Sequence, residues 1–160
     1  LYGLSKNASV TVQVVPSPVQ PGVSVNGPVT FCQGEEVVLE APGGYASYLW
    51  STGEEVREID VTATGDYNVT VVDSFGCASP VSADVAVTVH PLPEQPVVTP
   101  PGPHVVITGD SILLSSSSAA AYRWSPGGAS SSSIYVSATG DYSVVVENEF
   151  GCESPASQSA

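Results

Sequence analysis

The chain has 160 residues and a formal net charge of −13, with Lys6, Arg57 and Arg123 as its only Lys or Arg cations. That balance excludes nucleic acid, whose phosphates are held by clustered Lys and Arg, and an anionic membrane surface; the lack of an apolar run of about 18 residues excludes membrane insertion through a helix. Fourteen prolines, fifteen glycines and a remainder rich in Ser, Thr and Val indicate an all-β protein, and two tryptophans, seven tyrosines and alternating valines supply a core where disorder would otherwise be expected.

In chain order, residues 9–15 alternate Val10, Val12 and Val14 with polar neighbours and predict a strand. The proline-dense stretch Pro16–Pro21 predicts an extended spacer. A strand follows over 22–31, interrupted near Gly27-Pro28, then a turn at Cys32-Gln33-Gly34-Glu35 and a strand that buries Val37 and Leu39. Tyr48 and Trp50 share a face of the next strand, and Ile59 and Val61 alternate on the one after it. Ala63–Cys77 then reads as turn, strand, turn, with Tyr67, Val69 and Val71 on one face and Asp66, Asn68 and Thr70 on the other. A last strand covers about 83–90.

This script occurs twice. Gly65 recurs as Gly140 and Cys77 as Cys152, each 75 residues later, while Tyr48 and Trp50 recur as Tyr122 and Trp124 after 74, one residue being lost in the intervening loop. The second linker, Pro91–Pro96, matches the first. At the start, Tyr2-Gly3-Leu4 falls where Phe75-Gly76-Cys77 falls later, with Leu4 in the cysteine's place. The expected organisation is 1–17 as the last strand of a preceding repeat plus a linker, 18–92 as repeat 1, and 93–160 as repeat 2 without a complete final strand. Leu1 starts within a motif and no secretory leader is read, so a mature or excised piece is expected.

The pattern GPVTFCQGEEVVLEAPGGYASYLWSTGEEVREIDVTATGDYNVTVVDSFGCASP, followed by VAVTVHPLP, resembles the bacterial immunoglobulin-like repeats of large secreted proteins in the Bacteroidota, which overlap with PKD-like repeats. The resemblance covers essentially the whole chain and is specific to the repeat, not to any parent protein's activity. It implies tandem immunoglobulin-like β-sandwiches arranged head to tail, in cargo of the type nine secretion system such as gliding-motility adhesins and polysaccharide-degrading proteins. Ile107, where repeat 1 has Cys32, and Leu4 depart from the pattern. The residues agree with such a sandwich independently: Trp50 and Trp124, with Tyr67 and Tyr142 at the start of the repeated strand, are the aromatics an immunoglobulin-type core uses. Their phase with the valines favours core packing over a sugar-stacking platform.

No HExxH motif, phosphate loop or Ser-His-Asp set is present, and no enzymatic activity is expected. His90 and His104 lie beside linkers without a cysteine or carboxylate at ligand spacing and read as solvated. The many carboxylates, among them Glu35, Glu36, Glu54, Glu55, Glu58 and Asp60, form no DxDxDG-like loop; a calcium ion at a repeat junction is the single cofactor they leave open. Asp66 and Asp141 read as turn residues. The runs Ser115–Ser118 and Ser130–Ser133 read as solvated loop and strand-edge serines. Asp110-Ser111-Ile112 resembles the O-glycosylation motif of that bacterial group, which makes Ser111 a candidate acceptor.

Three cysteines in a small all-β repeat indicate an oxidising, extracellular or cell-surface setting. In an immunoglobulin sandwich the turns carrying Cys32 and Cys77 lie at opposite ends, and a bridge needs Cα atoms within about 7 Å, whereas an eight-residue strand spans roughly 26 Å. The expected bond is Cys32–Cys152, with Cys77 reaching a cysteine of a preceding repeat. Cys32–Cys77 within one repeat stays open as the rival. Repeat 2 is expected to leave a strand slot open beside Tyr142, Val144 and Val146, filled either by a continuing polypeptide, the favoured arrangement, or by residues 9–15 of another copy. Two functions follow: a structural stalk or filament repeat of an adhesin-like protein, partnered by neighbouring repeats or by copies of itself; or a carbohydrate-binding accessory module of a secreted enzyme, with surface glycans as partners.

Overall fold

The computed structural model describes residues 10–160, and the readings at Tyr2 to Leu4 lie outside them. The described chain is all-β, with no helix long and apolar enough to cross a membrane. It divides into two compact units, one of residues up to Val29 with Glu36–Val87, the other of Thr30–Glu35 with Thr88–Ala160.

The first unit contains β1 (Ser24–Asn26); β2 (Thr30–Cys32) then passes to the second unit. Next come β3 (Val37–Glu40), β4 (Ser47–Trp50), β5 (Glu58–Val61), β6 (Gly65–Tyr67), β7 (Val69–Val72) and β8 (Val85–His90). One sheet has the antiparallel order β1-β3-β5. Opposite it, β4 pairs β7 with Trp50 against Val69, and β6 pairs β8 with Tyr67 against Val85. The single strand expected from the Tyr67–Val71 alternation is thus two, separated at Asn68, whose amide donates to Asp84 Oδ1 at 2.7 Å. The core is what the alternation requires: Val37, Leu39, Trp50, Ile59, Val61, Tyr67, Val69 and Val71 are all buried. Inward faces on both sheets, with this pairing order, make an immunoglobulin-like sandwich.

The second unit repeats the plan with β9 (Val98–Thr99), β10 (Ile112–Ser116), β11 (Ala121–Ser125), β12 (Ser133–Val136) and β13 (Ser143–Glu147). The sheet β12-β10-β9 matches β5-β3-β1, and β11-β13 matches β4-β7. Val98, Leu114, Trp124, Val136, Val144 and Val146 form its core, with Tyr142 partly buried against it. Within this unit β2 lies parallel to the second half of β8, with Cys32 opposite His90.

The two tyrosines at the strand starts act alike. Tyr67 donates its hydroxyl to the Ala63 carbonyl at 2.9 Å, and Tyr142 donates to Ala138 at 3.1 Å. The indoles also act alike, Trp50 donating to Val56 O at 2.8 Å and Trp124 to Ser131 O at 2.9 Å. Each of these large side chains has its one polar atom satisfied, Trp50, Tyr67 and Trp124 being buried and Tyr142 half-buried.

Three expectations are corrected. Residues 10–15 form no strand; Val10, Val12 and Val14 are exposed and have no ladder partner, and alternation alone does not hold an unpaired strand in water. The linkers are not free spacers throughout: Pro21 and Pro96 are buried, Gln20 Nε2 donates to Val81 O at 2.8 Å and Gln95 Nε2 to Ala156 O at 2.6 Å. His90 is not a solvated linker residue, since it ends β8, is half-buried and stacks on Phe150.

Beside Tyr142 the second unit has a cavity of about 140 Å³ lined by Ile112, Leu114, Val136, Gly140 and Ala160. Gly65, the counterpart of Gly140, is paired instead with the buried Val87. In the second unit the pairing reaches only Ala160, whose N–H donates to Tyr142 O at 2.9 Å.

Candidate functional site: the turn that holds Cys152

The sequence after β13 is Asn148-Glu149-Phe150-Gly151-Cys152. Asn148 organises it: its side-chain Oδ1 accepts from the backbone N–H groups of Phe150 and Cys152, each at 3.0 Å. Its own N–H donates to Cys152 O at 3.1 Å, and Gly151 takes φ 78°, a conformation that side chains resist. The turn aims Cys152 inward, where it is fully buried.

Cys152 is joined to Cys32 by a disulfide, with Cα atoms 5.6 Å apart and a sequence separation of 120. Two further contacts surround the bond. Phe150 stacks on His90 with ring centroids 3.9 Å apart and an interplanar angle of 7°. Asn148 Nδ2 donates to Pro91 O at 2.9 Å. The end of β2 is fixed by Gln33 N–H donating to His90 O at 2.8 Å, so Cys32 is held in place by the strand that carries the stacking ring. Cys32 belongs by sequence to the first repeat and by packing to the second unit. Cys77 is a free, half-buried thiol, so no Cys32–Cys77 bond is present.

Four buried serines that composition hides among solvated ones support both turns. After Cys77 and Cys152 the sequences Ser79-Pro80-Val81-Ser82 and Ser154-Pro155-Ala156-Ser157 run beside the repeated strands. The hydroxyls of Ser79 and Ser82 accept from Val71 and Val69 N–H at 3.1 and 3.0 Å, and those of Ser154 and Ser157 accept from Val146 and Val144 at the same distances. They stand in for a neighbouring strand, which satisfies backbone donors that would otherwise be buried alone. The signal that could have found them is the Ser-Pro-x-Ser spacing at the 75-residue offset. Replacing Ser79 by alanine leaves the fully buried Val71 N–H without this partner, and a stability loss of about 1–3 kcal/mol in denaturant titration is expected. An unchanged midpoint would show that this hydroxyl is dispensable.

The remaining sequence-predicted residues are not brought together. Ser111 is exposed just before β10. His104 is exposed, its Nε2 3.2 Å from Pro100 O. Asp66 lies on β6 rather than in a turn, paired with Ala86. Among the described residues no group of three or more His, Cys, Asp or Glu side chains is placed to hold a metal. The aromatics Phe75, Tyr135 and Phe150 are exposed, on two turns and on β12, while both tryptophans are buried.

No protein-family model and no curated protein matches the chain. Among solved structures it is similar to the human OSCAR ligand-binding domain, at 17% identity and TM-score 0.38, covering 90% of this chain and 98% of that one. It is likewise similar to the fibronectin(III)-like modules of CbhA from Clostridium thermocellum, at 17% identity and TM-score 0.38 over 84% of this chain and 90% of that one. A third is a mouse coronavirus receptor-binding domain complexed with its murine receptor, at 15% identity and TM-score 0.36 over 86% and 98%. The immunoglobulin-like assignment rests on the strand pairing described above and not on these likenesses.

Proposed function

We propose that the chain is a structural stalk or filament segment of a secreted or cell-surface adhesin-like protein, partnered head to tail by neighbouring repeats or by copies of the same protein. The observation that supports this reading most is the Cys32–Cys152 bond, which covalently ties the sequence of one repeat to that of the next. Such a tie locks a segment of one repeat's sequence into the compact unit formed by the next, and it belongs in an oxidising compartment. The resemblance to Bacteroidota repeats makes type nine secretion the fitting export route. Neither catalysis nor a cofactor, calcium included, has a part in this reading.

The second reading, a carbohydrate-binding accessory module, is favoured by one observation: Tyr135 on β12 is 76% exposed. A sugar platform uses exposed rings whose faces stack on the pyranose. The tryptophans and Tyr67 are unavailable for this because they are buried. A glycan array probed with the chain and with Tyr135→Ala separates the two. The stalk reading expects no glycan signal from either protein; a signal that Tyr135→Ala abolishes would establish the module.

A further inference from the structure

The first unit carries a second version of the turn that holds Cys152. Asp73 Oδ1 accepts from Phe75 and Cys77 N–H, each at 2.9 Å, and Asp73 N–H donates to Cys77 O at 3.0 Å. Gly76 takes φ 82°. The backbone is therefore arranged as it is at Asn148–Cys152. What differs is the covering: Cys152 is bonded and fully buried, whereas Cys77 is a free, half-buried thiol and Phe75 is 68% exposed.

We propose that the Asp73–Cys77 turn is a covalent docking site for another repeat of this kind, one that presents a cysteine where repeat 1 has Cys32. This rests on the stalk reading and names the partner of that same array. The occupant is argued from the structure itself, since the same turn in its second version is covered by Cys32 and the ring of His90. One position differs within the turn: Asn148 donates through Nδ2 to Pro91 O, whereas the carboxylate of Asp73 has no N–H to donate. The bond would form by thiol–disulfide exchange. The Cys77 thiolate attacks the partner cysteine's sulfur in a mixed disulfide with a small thiol; the new S–S bond forms, the old one breaks, and the small thiolate leaves and takes the proton.

Ile107 occupies the Cys32 position of repeat 2 and is 75% exposed, so it supplies the probe. A full-length Ile107→Cys, Cys77→Ser copy, with its new thiol capped as a thionitrobenzoate mixed disulfide, is mixed with the wild-type chain, whose one free thiol is Cys77. The control copy is Val105→Cys, Cys77→Ser, capped in the same way at a position that is 100% exposed. Release of thionitrobenzoate is followed, and peptide mapping identifies the product in which Cys77 is bonded to the cysteine introduced at position 107. Docking raises the effective concentration of the pair, so the Ile107→Cys copy is expected to react about tenfold faster than the control. Equal rates, or a faster control, overturn the proposal. A glycan-array signal would remove the stalk reading without touching this comparison, and equal rates would leave the array result standing.

Discussion

Replacing Trp124 by alanine is expected to cost about 3–5 kcal/mol and to unfold the second unit at moderate temperature. The indole is 1% exposed and is the largest side chain in a core otherwise made of Val98, Leu114, Val136, Val144 and Val146. Removing it leaves a cavity that the surrounding valines, short and stiff at χ1, fill poorly. It also removes the donor to Ser131 O, a smaller loss because Ser131 is exposed and water can replace the indole. A unit of this size has about 4–11 kcal/mol of stability in total, so the substitution takes much or all of it. The chain has two tryptophans, and Trp50 lies in the first unit, so its fluorescence in the variant reports that unit alone. A loss below about 1 kcal/mol would contradict the placement of Trp124 in the core.

Much of this architecture is legible in the sequence because its signals are local. The alternation of Tyr67, Val69 and Val71 is enough to place them inward, and all three are buried. The glycine of each Phe-Gly-Cys turn is enough to end the strand, and Gly76 and Gly151 both take positive φ. What was not legible depends on partners distant in sequence. The serines that follow each cysteine look like any others until β7 and β13 are set beside them. Gln20 is one polar residue in a linker until Val81 O, 61 positions away, meets it. His90 acquires a role only through Phe150, and nothing in the residues around either predicts the stack. Residues 10–15 err in the other direction: a correct strand pattern has no neighbour to pair with, because alternation specifies a face and not the strand beside it.

Eliminating the Cys32–Cys152 bond is expected to destabilise the second unit by about 4 kcal/mol. The cost comes mainly from the unfolded chain, which the bond holds in a loop of 120 residues. Loop-closure entropy grows only with the logarithm of length, so the figure changes little if the first unit stays folded and the flexible loop is correspondingly shorter. Cys32→Ser is the cleaner of the two single substitutions. It leaves Cys152 as a buried thiol, which packs as a small hydrophobe, whereas Cys152→Ser would place a hydroxyl at a fully buried position. The Phe150–His90 stack and the Asn148–Pro91 hydrogen bond remain to hold the turn, so the unit is expected to fold with a lower denaturation midpoint rather than to lose its structure. Wild-type protein unfolded in the presence of a dithiol reductant should give the same midpoint as Cys32→Ser. Cys77→Ser, which removes only a free thiol, should stay within about 0.5 kcal/mol of wild type. If the reduced and oxidised chains unfold together, the bond does not restrain the unfolded state, and its contribution to the proposed stalk is lost with it.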